Sequence, residues 1–234
     1  MSDKPIDLYY WPTPNGWKVS ILLEELGLPY DVHYVNIGAG DQFKPDFLKI
    51  APNNRMPAIV DPEGPDGAPI SIFESGAILQ YLARKHEKFY GRDERERIAV
   101  DEWLMWQMGG FGPMLGQNHH FNTYAPEDIA YAKQRYTDET HRLYGVLDRR
   151  LEGREYIADA YSIADMACVG WANGWERQQM DIAEFPNVGG WLERLKARPA
   201  VSRGMALGKD EREKMQLATN KDQQAILFGQ RARR

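Results

Sequence analysis

Residues 54–78 read Asn-Arg-Met-Pro-Ala-Ile-Val-Asp-Pro-Glu-Gly-Pro-Asp-Gly-Ala-Pro-Ile-Ser-Ile-Phe-Glu-Ser-Gly-Ala-Ile, and the reading of this stretch decides the fold. Pro57 stands directly before an apolar strand, Ala58 to Val60. A loop rich in Pro, Gly and Asp separates it from a second β-branched run, Ile70 to Phe73, which makes the pair a hairpin. Glu74 and Ser75 then open a helix over Ser75 to Lys85, so an acid and a hydroxyl stand at a helix mouth. A backbone amide edge beside a helix N-terminus suits a small peptide-like anion.

Upstream, Ile6 to Tyr10 is a β-branched and aromatic run ending before Pro12, and Trp17 to Leu26 has helical spacing of apolar residues stopped by Gly27 and Pro29. Val32, Tyr34 and Ile37 continue as a second strand. Lys44 to Ile50 forms a short helix that halts before Pro52. The order β-α-β-α-β-β-α predicts a small mixed sheet with helices packed on it, as in a thioredoxin-like domain.

Downstream the pattern is helical throughout: Asp93 to Met108, Pro126 to Leu151, Ser162 to Trp175 and Val188 to Ala197. The expected organisation is α/β plus all-α. A thioredoxin-like domain spans 1–86, a helical bundle domain 93–208 and a tail 209–234. Gly109-Gly110-Phe111-Gly112-Pro113 lacks the Gly-Lys-Ser/Thr of a phosphate loop and predicts a kink or local widening instead. Ser162-Ile163-Ala164-Asp165 is a capping box with Asp in the place of Glu. The tail is polar except for Ala225 to Phe228, and loose surface packing is expected of it.

With 234 residues and 43% hydrophobic content, the chain can bury a substantial core. The 29 basic and 34 acidic residues are interspersed, and the net charge of -5 gives no footprint for nucleic acid, nor do the terminal arginines Arg231, Arg233 and Arg234. No apolar run approaches the ~20 residues of a membrane span, and the start lacks a leader pattern, so a cytoplasmic protein is expected. Cys168 is the single cysteine, set in an apolar helix face, which reads as an inert core thiol. Sulfur chemistry here requires a thiol from elsewhere.

Each candidate site residue has a plain reading beside the functional one. Met56-Pro57 is equally a turn proline or a cis proline at the head of the third strand, exposing the Met56 amide and carbonyl to an extended peptide. Glu74-Ser75 is an N-cap pair, or an ammonium acceptor beside a carboxylate donor; its place one hairpin after the proline favours the second. Thr13-Pro14-Asn15-Gly16 lies between the first strand and first helix, where thioredoxin-like proteins carry redox cysteines. It is a turn, or a pair of donors to a sulfur anion over the helix N-terminus. Tyr9 and Tyr10 compete for that role, and alternation sends one of them into the core. Gln42 and Arg135 are candidate donors to a ligand carboxylate. His119-His120 diverge without nearby metal-binding partners, so no metal is expected.

The motifs Tyr-Tyr-Trp-Pro-Thr-Pro-Asn-Gly-Trp-Lys at 9–18, Pro-Asn-Asn-Arg-Met-Pro-Ala-Ile-Val-Asp at 52–61 and Phe-Glu-Ser-Gly-Ala-Ile-Leu at 73–79 resemble those of glutathione transferases. Together with Gly-Gly-Phe-Gly-Pro-Met-Leu-Gly-Gln-Asn-His-His-Phe at 109–121, they resemble the bacterial Nu class. The likeness covers roughly residues 6–207. It implies a homodimer that uses glutathione, reduced or as the disulfide, between its two domains. By position, Glu74 and Ser75 would hold the γ-glutamyl end, and Met56, ahead of Pro57, would pair with the cysteinyl group. Thr13 and Asn15 would face the sulfur as catalytic residues, with Gln42 and Arg135 reaching glutathione elsewhere. The Ser or Cys of better-known classes is missing after strand one. The implied activity is therefore glutathione-dependent thiol-disulfide exchange, with transferase or thioether lyase chemistry, or glutathione binding without catalysis, as alternatives.

Overall fold

The computed structural model describes residues 4–214 and 219–230. The terminal arginines Arg231, Arg233 and Arg234 lie outside them. The chain divides into two compact units, one of the described residues up to 78 and from 203 on, the other of residues 79–202.

In the first unit, β1 (Ile6–Tyr10) is a central strand whose Ile6, Leu8 and Tyr10 point inward on alternate positions. It pairs in parallel with β2 (Tyr30–Tyr34) and antiparallel with β3 (Ala58–Asp61), which pairs antiparallel with β4 (Ile70–Phe73). The resulting order, β2-β1-β3-β4, is the mixed sheet expected from the sequence. The parallel pair requires a crossover, supplied by α1 (Pro14–Leu26). Its Val19, Ile21, Leu22 and Leu23 are buried, and Gly27, at φ 68°, closes it in the left-handed conformation that glycine adopts without cost.

Ile37 does not extend β2. The Asn36 side chain accepts from the amides of Gly38 and Ala39 at 3.0 and 3.1 Å, and this local turn ends the strand direction. A short helix, α2 (Pro45–Ile50), follows, and α3 (Ser75–Lys85) starts where the Ser75 reading placed it.

The second unit is helical, with an isolated bridge between Ala158 and Ala160. Its helices are α4 (Glu94–Trp106), α5 (Gly112–Thr123), α6 (Ala130–Leu151), α7 (Ile163–Ala172) and α8 (Pro186–Lys196), with α9 (Pro199–Ala206) after them. The glycine-rich stretch does not break the helix between α4 and α5. Gln107–Phe111 instead winds as a π-helix, the local widening anticipated there. Phe111, Tyr144, Leu147, Met166, Val169, Trp191 and Leu195 are buried in this unit. The capping box forms as read, with Ser162 and Asp165 exchanging bonds at the start of α7. α7 is shorter than expected because Trp175–Gln178 tightens into a 3-10 turn.

The tail is more firmly seated than its composition indicates. The Arg212 guanidinium lies 4.8 Å from the Trp17 ring centre. After α10 (Lys209–Glu213), α11 (Lys221–Phe228) is capped by Asn220, and the Gln230 side-chain Oε1 accepts from Arg55 at 2.8 Å. No helix among the described residues is long and apolar enough to cross a membrane.

Candidate functional site

The loop leaving β1 reaches α1 through Thr13, which has extended backbone and caps the helix. Pro14 fits the first helical turn because its missing N–H would have had no partner there. The Thr13 hydroxyl oxygen accepts from the Gly16 amide at 3.2 Å, and its proton is donated toward the Met56 thioether sulfur at 3.9 Å. That sulfur is the chain's own methionine, whereas the sequence reading set the donor toward the thiol of a bound ligand. Asn15 sits beside it in the first turn, partly exposed. Gly16 is needed for this approach, since a Cβ there would stand 2.3 Å from the Trp11 carbonyl oxygen.

The Met56-Pro57 peptide is cis, resolving the two readings of that proline. The β1–β3 ladder ends at Tyr9↔Ala58, so Met56 lies beyond its last pair. The Met56 side chain packs on Val35, Phe47, Ala51 and Ala58 together with Tyr9.

Glu74 joins β4 to α3 with φ 68°, a left-handed conformation that costs a residue with a side chain about 1–3 kcal/mol. Its carbonyl accepts the first helical bond, from Ile78 at 3.0 Å, while its exposed carboxylate receives the Asn53 amide at 3.1 Å. Ser75, 5% exposed, is the first residue of α3, and its hydroxyl oxygen accepts from the buried Lys18 ammonium at 3.5 Å. Thr13–Met56, Asn53–Glu74 and Lys18–Ser75 therefore lace together the start of α1, the segment before β3 and the start of α3. Neither Asn53 nor Lys18 was singled out from sequence. Their roles depend on contacts 21 and 57 positions away, and no local pattern encodes those.

Tyr10 is fully buried, its hydroxyl donating to the Leu207 carbonyl at 3.1 Å, and burial holds its phenol well above the ordinary range. It faces the core, as alternation requires of one tyrosine of the pair. Tyr9 stacks on His33 at 4.8 Å, and burial, then the Asp7 charge, raise its phenol.

Gln42 is buried within its own loop. Its amide donates to the Ile37 carbonyl at 3.1 Å, and its Oε1 has no hydrogen-bond partner among the described residues. Arg135 belongs to the second unit, exposed on α6; the nearby Glu139 carboxyl is held low chiefly by its hydrogen bond from Arg142, with the Arg135 charge a lesser contribution. Cys168 is 0% exposed on α7. His119 pairs with the Tyr124 hydroxyl at 3.0 Å, and burial lowers His120. Among the described residues no group of three or more His, Cys, Asp and Glu side chains is placed to hold a metal ion.

Comparison with known proteins identifies the family. Residues 4–84 match the glutathione S-transferase N-terminal domain and residues 114–199 the C-terminal domain. The chain is 54% identical over 202 residues to the disulfide-bond oxidoreductase YfcG of Escherichia coli (strain K12), covering 86% of this chain and 94% of that one. Among solved structures, a Pseudomonas putida glutathione transferase with one glutathione disulfide bound per subunit superposes with TM-score 0.84 at 44% identity, covering 87% of this chain and 91% of that one. A Burkholderia graminis glutathione transferase with two glutathione molecules bound per subunit gives TM-score 0.83 at 47% identity, covering 88% and 89%. Two family domains in order, and a relative matched along nearly its whole length, mean that this chain belongs to the glutathione S-transferase family.

Proposed function

We propose that this chain is a glutathione-dependent thiol-disulfide oxidoreductase. The observation that carries the reading is that the chain's one cysteine is buried on α7 while the Thr13 hydroxyl caps the helix that follows β1, so the reacting thiols have to come from glutathione. The protein supplies the environment and glutathione the thiol. The relatives' oxidoreductase name and bound glutathione disulfide support the same assignment.

In this reading Glu74 accepts from the γ-glutamyl ammonium and Ser75 donates to its carboxylate, helped by the first amides of α3. The Met56 amide and carbonyl, ahead of Pro57, pair with the cysteinyl unit. Thr13 and Asn15 are the catalytic residues that orient the sulfur and stabilise its negative charge. Gln42 and Arg135 rest on the family resemblance. So do the Nu class and homodimer assembly, while a cytoplasmic location rests on the composition of the chain.

The chemistry is two successive exchanges. A glutathione thiolate attacks one sulfur of the substrate disulfide, forming a mixed disulfide and releasing a thiolate. A second glutathione thiolate attacks the glutathione sulfur of that mixed disulfide, giving glutathione disulfide and the second substrate thiol. Two electrons pass from the two glutathiones to the substrate, whose thiolates take up the two protons.

Lowering the bound thiol from pKa ~8.5 to ~6.5 would raise the thiolate at pH 7 from ~3% to ~75%, roughly 25-fold. At a Brønsted slope near 0.45 the same change lowers nucleophilicity about eightfold, leaving roughly threefold. Alignment of the two sulfurs offers far more, up to ~7–11 kcal/mol in favourable cases, so positioning is the principal contribution.

The test is Thr13→Ala combined with Asn15→Ala. Reduction of a small disulfide by glutathione should fall by well over that threefold while glutathione still binds. An unchanged rate would refute the assignment, and turnover of aryl halides in preference to disulfides would move the reading to transferase chemistry.

A further inference from the structure

We infer that Asn53 is a positioning residue that holds the Glu74 carboxylate for the γ-glutamyl ammonium, an inference that rests on the glutathione reading above. The Asn53 Nδ2 donates to Glu74 Oε1 at 3.1 Å, across 21 positions of sequence. Among the described residues it is the one donor to that carboxylate, whose Oε2 is left open to a second.

Both partners are held by their backbones. Asn53 belongs to a turn closed by the Asn54 amide, which donates to the Ala51 carbonyl at 2.9 Å. Ala51 is fully buried with Val35, Phe47 and Ala58, the group on which Met56 packs, and Asn54 leaves the turn in left-handed backbone at φ 46°. The segment that carries Met56 to its cis bond with Pro57 therefore also carries Asn53 to Glu74. Glu74 is fixed from its own side by φ 68° and by the Ile78 amide on its carbonyl at 3.0 Å. Glycine would adopt that backbone without strain, so the position carries its carboxylate at a cost.

The chemistry of the donor matters. A carboxylate accepts several hydrogen bonds, and a neutral amide on Oε1 fixes its orientation without cancelling its charge. A lysine or arginine in the same place would form an ion pair with which an incoming ammonium must compete. An amide leaves the full negative charge for the ligand and removes in advance the rotamer freedom that a glutamate loses on binding. As a contribution to the fold the bond is minor, since both residues are exposed and water competes for both groups.

The measurement compares the affinity of glutathione with that of its analogue lacking the γ-glutamyl amino group, for the wild-type chain and for Asn53→Ala. Wild type should prefer glutathione, and Asn53→Ala should lose about three- to tenfold in glutathione affinity with little change toward the analogue. Asn53→Gln, which keeps the amide, should recover part of the preference. In a Glu74→Gly background, where the carboxylate is gone and the backbone unstrained, Asn53→Ala should change neither affinity, because Asn53 acts through Glu74. Asn53→Ala that weakens both ligands equally, or neither, overturns the inference, since loosening of the turn does not distinguish an ammonium from a hydrogen atom. A loss of the same size in the Glu74→Gly background overturns it too. Wild type that binds both ligands alike removes Glu74 from the ammonium and overturns the inference while the glutathione reading stands. Wild type that binds neither overturns instead the glutathione reading on which the inference rests.

Discussion

Replacing Asp165 with Asn tests the helical unit at its most charged buried point, and two opposed effects set the outcome. Asp165 is 0% exposed, and its carboxylate receives four donors: Ile157 N at 3.0 Å and Trp191 Nε1 at 2.9 Å on one oxygen, Ser162 N at 3.0 Å and Ser162 Oγ at 3.3 Å on the other. An amide keeps one of those oxygens and turns an NH₂ toward the remaining pair. At about 1–3 kcal/mol for each buried donor left without an acceptor, the substitution costs roughly 2–6 kcal/mol.

Against this stands the charge itself. Burial pushes the Asp165 carboxyl up from 3.8 to about 6, outweighing the donors from Ile157, Trp191 and Ser162 that pull it down. At neutral pH that rise costs the folded state ~3 kcal/mol, which the uncharged amide avoids. The net effect of Asp165→Asn near pH 7 is therefore small, from about 1 kcal/mol stabilising to about 3 kcal/mol destabilising.

The pH dependence separates the two effects. Because the folded chain holds this proton more tightly than the unfolded one, the group's favourable contribution is complete below pH 3.8 and is lost as pH rises through about 6. Wild-type stability should fall relative to that of the variant across this window, by up to ~3 kcal/mol, and the deficit of Asp165→Asn should be largest at the acid end. Urea unfolding of both proteins between about pH 4.5 and 7.5, followed by tryptophan fluorescence, reads the difference directly. Parallel stability curves would refute the reasoning, since they would mean that Asp165 titrates alike in the folded and unfolded chains.

Tyr10→Phe removes only the hydroxyl bonded to Leu207, so it should lower stability by about 1 kcal/mol in urea unfolding and leave glutathione-dependent disulfide reduction unchanged. A tenfold fall in rate with the fold intact would mean that this hydroxyl does reach the sulfur. Gly16→Ala places a methyl 2.3 Å from the Trp11 carbonyl oxygen and 2.8 Å from the Tyr10 ring, so the start of α1 must move. It should lower the unfolding free energy by about 1–3 kcal/mol, and an unchanged urea midpoint would contradict the close approach described at this turn.

How much of this was legible in the sequence depended on the range of the interaction. Ser162 and Asp165 could be paired by eye because a capping box closes within four residues, and Pro57 and Ser75 mark element starts by local chemistry. The widening at Gln107–Phe111 was legible because glycines and a proline inside an apolar helical pattern leave few ways to continue the helix. Ile37 was misread as strand because apolar alternation outweighed the Asn36 turn signal beside it. The seating of the tail was invisible, since Arg212 over Trp17 and Gln230 on Arg55 link residues distant in sequence through contacts that composition does not encode. Asn53 and Lys18 escaped notice for the same reason, although each holds a residue that the sequence did single out.

The distribution of cost within the site bears on how it works. Thr13 is an ordinary helix cap, and such an arrangement is stabilising in itself. Left-handed backbone stands at Glu74, where the proposed reading puts the γ-glutamyl group, and at Asn54, two residues ahead of Met56, so cost lies at both ends of the proposed site. Under that reading, fixed backbone serves catalysis by alignment, because binding energy gathered away from the reacting atoms is what fixes the sulfur in line with its target. It also follows from the small gain available in thiol activation, where the rise in thiolate population is largely cancelled by the fall in nucleophilicity.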